Sequence, residues 1–347
     1  MSIRVAVATP LSEELCERIV AAEPRIELVR DQSLLPPMRW PGDHSGDPGF
    51  VRTSAQQGAF EALLDGADAL YGVPGEDPAA LTRTVRANPR LRWVQTMPAG
   101  GGAQVRAAKL TQAELDRIVF TTTAGVHGSA LAEFAVFGIL AGAKDLPRLL
   151  AQQADKRWPG RWCMRQVEEQ TIAVLGMGHI GRDTAAKLIA LGARVIGVSR
   201  HPSDLPGLAG TAHPDRLGDV VATADALVVT LPGTEQTHKL VNADVLAKVQ
   251  PGLTFVSVGR GSVIDEAALA VALTDGRIGF AAMDVFYTEP LPAASALWTM
   301  PNVLVSPHTA ALNAAEDVRI ADLFARNATA FIDGRPMTNV VNTVEFY

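Results

Sequence analysis

Residues able to do chemistry gather in the second half of the chain. The turn Gly176-Met177-Gly178-His179-Ile180-Gly181 follows an apolar run and opens a helical pattern. At this spacing Gly176 permits a tight turn. Gly178 lets a ligand approach the backbone with no Cβ in the way, and Gly181 lets the helix pack closely on the strand. The free N–H groups of the turn, those of His179 and Ile180 included, and the positive end of the helix dipole can then hold pyrophosphate charge. The next apolar run ends at Val198-Ser199-Arg200-His201. Dinucleotide folds usually place an acid near this point to grip the ribose hydroxyls. Ser199 and Arg200 suit a 2′-phosphate instead, which a carboxylate would repel. The expected cofactor is a nicotinamide dinucleotide, NADP in preference to NAD; a plainer role for Arg200 is to stack on the adenine. Three later segments carry an ionisable side chain directly after an apolar run, the place where open α/β sheets bind ligands. They are residues 258–266 with Arg260, 283–291 with Asp284 and Glu289, and 306–311 with His308.

The elements that must position these residues form two α/β halves. In the first, apolar runs at 3–8, 26–29, 69–73, 91–95 and 119–122 read as strands, and 13–22 as a helix. In the second, strands are expected at 171–175, 194–198, 226–231, 254–258, 280–285 and 303–306, with a helix at 178–191. Short Val/Ile/Leu runs separated by crossovers imply parallel sheets covered on both faces. A helical pattern at 130–146 joins the halves, with His127 and Gly128 as a hinge or Ser129 as a plain N-cap. The helical pattern at 314–331 would most economically pack back on the first half. The expectation is a discontinuous first domain, 1–128 plus 310–347, and a second domain, 129–309. Residues 34–49 hold four prolines and no regular pattern, so they are expected to be a surface insertion or a lid.

Bulk composition excludes several classes. A chain of 347 residues, 48% hydrophobic and 20% charged, is a folded protein of more than one domain. A net charge of −6 with scattered Lys and Arg argues against nucleic acid as a partner. The N-terminal residues lack a basic stretch followed by a long apolar one, so no signal peptide is expected. The most apolar helical stretch, 130–143, is too short for a bilayer and carries Glu133, so no membrane role is expected. Two cysteines, Cys16 and Cys163, are expected to be reduced thiols of a cytoplasmic protein. The seven histidines show no metal-ligand spacing, and no metal is expected.

Taken together, RGxxxDExAL at 260–269, DVFxxEPLP at 284–292, SPHTA at 306–310 and the glycine turn closely resemble the D-isomer-specific 2-hydroxyacid dehydrogenase family. The resemblance covers nearly the whole chain. It implies a flavodoxin-like substrate domain and a Rossmann cofactor domain, with a cleft between them. It also assigns roles. Arg260 would bind the substrate carboxylate or carbonyl. His308 would be the general acid, or the base in oxidation, and Glu289 would orient it and favour its imidazolium form. Asp284 would accept from the nicotinamide carboxamide. Leu231 and Pro232 would lie along the ribose and adenine side, and Val258 and Gly259 against the nicotinamide half. In the first domain, Ala99, Gly100 and Gly101 stand where the family receives the substrate carboxylate on backbone N–H groups. This run has three glycines in place of the family's frequent acid. Structural alternatives are a surface ion pair for Arg260, a cap for Glu289 and a buried structural histidine for His308.

The implied activity is hydride transfer between NAD(P)H and a small 2-keto acid, glyoxylate or hydroxypyruvate being the leading pair. Formate dehydrogenases resemble the chain too, but pair their histidine with glutamine, where Glu289 stands here. Other readings are oxidation of phosphoglycerate or phosphite, and a nucleotide-sensing corepressor. Trp158 and Trp162 lie in an arm that by resemblance embraces a second subunit, so a homodimer is expected.

Overall fold

Parallel neighbours run in the same direction, so the end of one strand lies a full strand length from the start of the next. They must be joined by crossovers, usually helical. The computed structural model, which describes residues 2–346, is built this way throughout. Met1 and Tyr347, the outer ends of the first domain read from the sequence, lie outside the described residues. The chain divides into two compact units, one of residues 2–127 with 312–346, the other Gly128–Ala311.

The first unit holds strands β1 (Ile3–Val7), β2 (Ile26–Val29), β3 (Ala69–Tyr71), β4 (Trp93–Gln95) and β5 (Val119–Thr121). All are parallel, in the order β2-β1-β3-β4-β5, which is the flavodoxin-like arrangement. The helix Glu316–Ile332 completes its core from the far end of the chain. Phe324 stacks on Trp93 with centroids 4.6 Å apart and meets Tyr71 edge-on at 5.1 Å. Such pairs add about 0.5–1.5 kcal/mol beyond the area they bury. Arg18, on helix Glu13–Ala22, reaches Asp322 through two bonds of 2.6 and 3.0 Å.

The proline-rich stretch at 34–49 has no strand or α-helix, but it is tied down. Leu34 and Leu35 are buried, and Arg39 grips Asp43 at 2.7 and 2.9 Å. Gly42 donates its N–H to the Asp317 carboxylate at 3.1–3.2 Å. A Cβ on Gly42 would come within 2.9 Å of the Glu316 carboxyl, and its φ of +79° is left-handed. Burial pushes Glu316 up to about 7, Asp317 adding to the shift.

The second unit holds β6 (Thr171–Leu175), β7 (Arg194–Val198), β8 (Gly210–Ala212), β9 (Ala226–Val229), β10 (Leu253–Ser257), β11 (Ile278–Met283) and β12 (Val303–Val305). All are parallel, in the order β12-β11-β10-β9-β6-β7-β8. The order reverses beside β6, the doubly wound Rossmann arrangement. The edge strand β8 escapes a sequence reading because Gly-Thr-Ala has no apolar pattern. The helix expected at 130–146 is two helices, Gly128–Ala143 and Leu146–Ala154. Asp145 breaks them at φ +53°, and Pro147 stands in the first turn of the second. Ser129 falls inside the first turn and is not its cap. Gly138 lets this helix lie on β10 and β11, since a Cβ there would come within 2.9 Å of both Val256 and Ala282.

The anchoring of the proline-rich stretch can be measured. Gly42→Ala should lower unfolding free energy by about 1–3 kcal/mol through backbone strain and the Glu316 clash. Denaturant unfolding reads this directly, and an unchanged midpoint would refute the anchoring.

Candidate active site

The glycine turn is built by close approaches. Gly176 sits at φ +101° and donates its N–H to Val198 O at 2.8 Å. A Cβ on Gly181 would overlap Gly176 O, so only glycine lets helix His179–Ala190 start this near β6. Thr230 closes the turn from β9, its hydroxyl lying 3.2 Å from Leu175 O and 3.0 Å from Gly176 O. A Cβ on Gly178 would meet open space. The N–H groups of Gly178, His179 and Ile180 find no acceptor among the described residues, and no side chain caps the helix. This is an anion cradle ready to use.

Beyond β7, the Ser199 hydroxyl donates to His201 O, and Arg200 is exposed and bonded to Gln236 Oε1 at 2.7 Å. No carboxylate stands at the strand end. Arg182, on the helix that begins at the glycine turn, reaches Ser203 at 3.2 Å and Asp204 at 2.6 Å. Gln236 and Arg182 were not legible as site neighbours, because each meets its partner only across the fold. Leu231 is half-buried and Pro232 exposed; Pro232 O accepts from Thr237 at 2.6 Å. Gly259 is buried beneath Leu231, where a Cβ would overlap the Leu231 carbonyl, and Val258 donates to Val229 O at 3.0 Å.

Asp284 follows β11 and is wholly buried. Its Oδ1 accepts from the Ser306 hydroxyl at 2.5 Å and from the N–H groups of Thr309 and Ala310 at 2.9 and 3.0 Å. Its Oδ2 is buried and unpartnered. Burial raises its pKa, while those three donors and the nearby His308 hold it down. Ser306 was missed as a partner; its place in SPHTA is the only local sign.

The turn so held carries His308 at φ +53°, in the left-handed region that costs a side chain about 1–3 kcal/mol. His308 Nδ1 lies 2.7 Å from Glu289 Oε2, and Glu289 Oε1 accepts from Phe286 N–H at 2.9 Å. With Nδ1–H donated to a carboxylate, Nε2 is left to exchange a proton. The His308 side chain is 43% exposed, so that nitrogen is reachable. Arg260 follows β10, exposed, with Nη1 bonded to Gly259 O at 2.8 Å. A Cβ on Gly261 would overlap Phe286, so this glycine lets the Arg260 turn cross the Asp284 segment tightly. Arg260, Asp284, Glu289 and His308 thus stand in the segments that follow three adjacent strands, β10, β11 and β12, at their C-terminal ends.

In the other unit, Ala99 and Gly100 N–H groups have no acceptor among the described residues. Gly101 N–H is spent on Pro98 O at 3.1 Å, so it closes the turn. Among the described residues no group of three His, Cys, Asp or Glu could hold a metal ion. No described helix is long and apolar enough to cross a membrane.

Two features fit a nicotinamide dinucleotide in the second unit. The uncapped helix start suits a pyrophosphate, and the orphaned Asp284 Oδ2 suits an amide N–H donor. Comparison with known proteins agrees. The model of the D-isomer specific 2-hydroxyacid dehydrogenase NAD-binding domain matches residues 136–310. A glyoxylate/hydroxypyruvate reductase B of Yersinia enterocolitica is 31% identical over 84% of this chain and 88% of its own. A D-isomer specific 2-hydroxyacid dehydrogenase of Xanthobacter autotrophicus, solved with NADPH and MES, superposes with a TM-score of 0.79 at 28% identity, covering both chains fully. An NADPH-dependent glyoxylate/hydroxypyruvate reductase of Sinorhizobium meliloti, solved with NADP and sulfate, gives 0.77 at 26%, again over both whole chains.

The glycine turn supplies a test. Gly181→Ala should weaken NADPH binding by roughly tenfold or more, about 1.4 kcal/mol or above, because the helix start must move off β6. Titration calorimetry reads it; wild-type affinity would contradict the geometry.

Proposed function

The chain belongs to the D-isomer specific 2-hydroxyacid dehydrogenase family, an NAD(P)-dependent oxidoreductase family, and from that premise we propose that it reduces a small 2-keto acid of the glyoxylate or hydroxypyruvate type. The observation that carries this is the Glu289–His308 pair on a turn pinned by Asp284. A dinucleotide bound at residues 176–181 supplies the hydride for the carbonyl carbon. His308 Nε2 gives its proton to the carbonyl oxygen, and Glu289 holds the resulting imidazole in the correct tautomer. Arg260 neutralises the substrate carboxylate through its planar fork. In the first unit the Ala99 and Gly100 N–H groups are open to a carboxylate, and Gly101 shapes their turn. Asp284 Oδ2 would hold the carboxamide N–H, and Val258, Gly259, Leu231 and Pro232 would line the bound dinucleotide. The residues 2–127 and 312–346 form the substrate domain, and Gly128–Ala311 the cofactor domain.

NADP is the preferred cofactor in this reading. Support comes from Ser199 and Arg200 at the end of β7 and from relatives solved with NADPH or NADP. The test is a panel of 2-keto acids followed by loss of nicotinamide absorbance. NADPH should exceed NADH in kcat/KM, and His308→Gln should lower kcat by about 10²–10⁴-fold while leaving NADPH affinity near wild type. An NADH preference sinks the cofactor choice. Near-normal turnover of His308→Gln sinks the proton assignment. Tight NADPH binding with no turnover across the panel would favour a nucleotide sensor.

The protein works as a homodimer in this reading. Trp158 is 99% exposed, and Phe137, Leu140, Leu149 and Leu150 are exposed on the two helices that precede it. Exposed apolar side chains on adjoining segments of chain are the kind of surface a second subunit covers. Sedimentation velocity should give twice the chain mass, and Trp158→Ala should shift the equilibrium toward single chains. A wild-type monomer at working concentration would refute it.

A further inference from the structure

A pair of half-buried polar side chains in the unit of residues 2–127 and 312–346 plays no part in the chemistry above. Glu76 ends a single 3-10 turn, Pro74–Glu76, just after β3, at φ +55°. Gln104 stands on helix Gly102–Ala107, just after the loop that follows β4. Because β3 and β4 are parallel neighbours, both residues occupy the same C-terminal edge of the sheet. Gln104 Nε2 donates to Glu76 Oε2 at 2.6 Å. The remaining two oxygens, Glu76 Oε1 and Gln104 Oε1, are both buried and both without a partner.

Two acceptors cannot satisfy each other, and leaving both buried is costly. One proton on Glu76 resolves both. A carboxylic acid and a primary amide can close a ring of two hydrogen bonds, amide N–H to one acid oxygen and acid O–H to the amide oxygen. We propose that Glu76 is a positioning residue that works as an uncharged acid, pairing with Gln104 to hold the start of helix Gly102–Ala107 and the loop 98–101 in the form that binds the substrate carboxylate. This rests on the role assigned above to Ala99 and Gly100.

The rest of the segment is held independently. Thr123 donates its hydroxyl to Met97 O at the entry of the loop. Gly101 packs against Thr96, with no room for a Cβ. Thr82 donates to Ala108 O at 2.7 Å at the far end of the helix. The middle of the segment relies on Gln104. Burial, opposed by the Gln104 bond, pushes Glu76 up to about 7. The neutral form therefore dominates below that pH and is lost above it. Neighbouring charges do not offset this. Asp77 is engaged capping the next helix at Ala79 and Ala80. Arg83 pairs with Asp65 and Glu61, and Arg86 with Glu114. Arg106 is exposed, Tyr71 is neutral through burial, and loop 97–101 carries no ionisable side chain. Ionisation breaks the second bond and adds negative charge at an edge built to receive a carboxylate.

The test compares wild type, Glu76→Gln and Glu76→Ala, with NADPH and glyoxylate, from about pH 6 to about pH 8.5. The wild-type KM should rise severalfold through neutrality. Glu76→Gln, neutral at every pH, should keep a KM near the wild-type low-pH value with no such rise. Glu76→Ala should have a raised KM throughout, with kcat little changed. The same KM rise in Glu76→Gln, or a loss confined to kcat, overturns the proposal. If no keto acid is reduced, the functional reading has failed and infrared spectroscopy still decides the protonation. The carboxylic-acid C=O band at about pH 6 should be smaller in Glu76→Gln than in wild type, Glu316 contributing to both; equal bands in the two overturn the pair.

Discussion

Asp284 Oδ1 lies where no solvent reaches, and it accepts three hydrogen bonds at once, from Ser306, Thr309 and Ala310. A buried carboxylate oxygen is costly unless donors surround it, so each donor is locked by what its loss would cost. Two of these donors are backbone N–H groups flanking His308 on its C-terminal side. The turn cannot relax its left-handed φ without releasing them. A histidine that is otherwise half open to solvent is therefore carried on a rigid base. Glu289 adds the second constraint by taking Nδ1 while itself anchored to Phe286 N–H.

The same economy explains the unused oxygen. Oδ2 of Asp284 is buried without a partner, and a folded chain rarely keeps such an atom without a use. In the proposed function a nicotinamide carboxamide is that donor, and one side chain then holds the His308 turn with one oxygen and the cofactor with the other. At the other end of the sheet's switch point, close backbone contact does the equivalent work. Gly181 against Gly176 and Gly259 against Leu231 leave no space for a Cβ, and the N–H groups of Gly178, His179 and Ile180 are left without an acceptor among the described residues. The second unit thus solves its electrostatics with donors and dipoles, and the first unit with a proton on Glu76.

Much of this was legible along the chain. Strands 171–175 and 194–198 and helix 13–22 were read to the residue, because each is a local pattern bounded by turn chemistry. The glycine turn, and the order of Arg260, Glu289 and His308 after apolar runs, are equally local. Strand ends were read one or two residues long at Thr230, Val258 and Ser306, each of which still donates its N–H to the neighbouring strand, at Leu175, Val229 and Met283 O. The break at Asp145 was missed, for the residues on either side carry helical patterns and the left-handed φ that separates the two helices leaves no mark in the sequence.

Other features exist only through space. Gly42 meets Asp317 across 275 positions, and Gln104 meets Glu76 across 28. No periodicity encodes such partners. Whether 34–49 was anchored or loose, and whether Gly101 offers its N–H or spends it, depended on who stood opposite. The amino-acid sequence by itself determined the two parallel sheets and the residue types at their C-terminal edges, because strand, turn and helix preferences act over a few residues. Tertiary structure alone decided which donors face which acceptors, because hydrogen bonding and desolvation depend on distances of ångströms that the order of residues does not record.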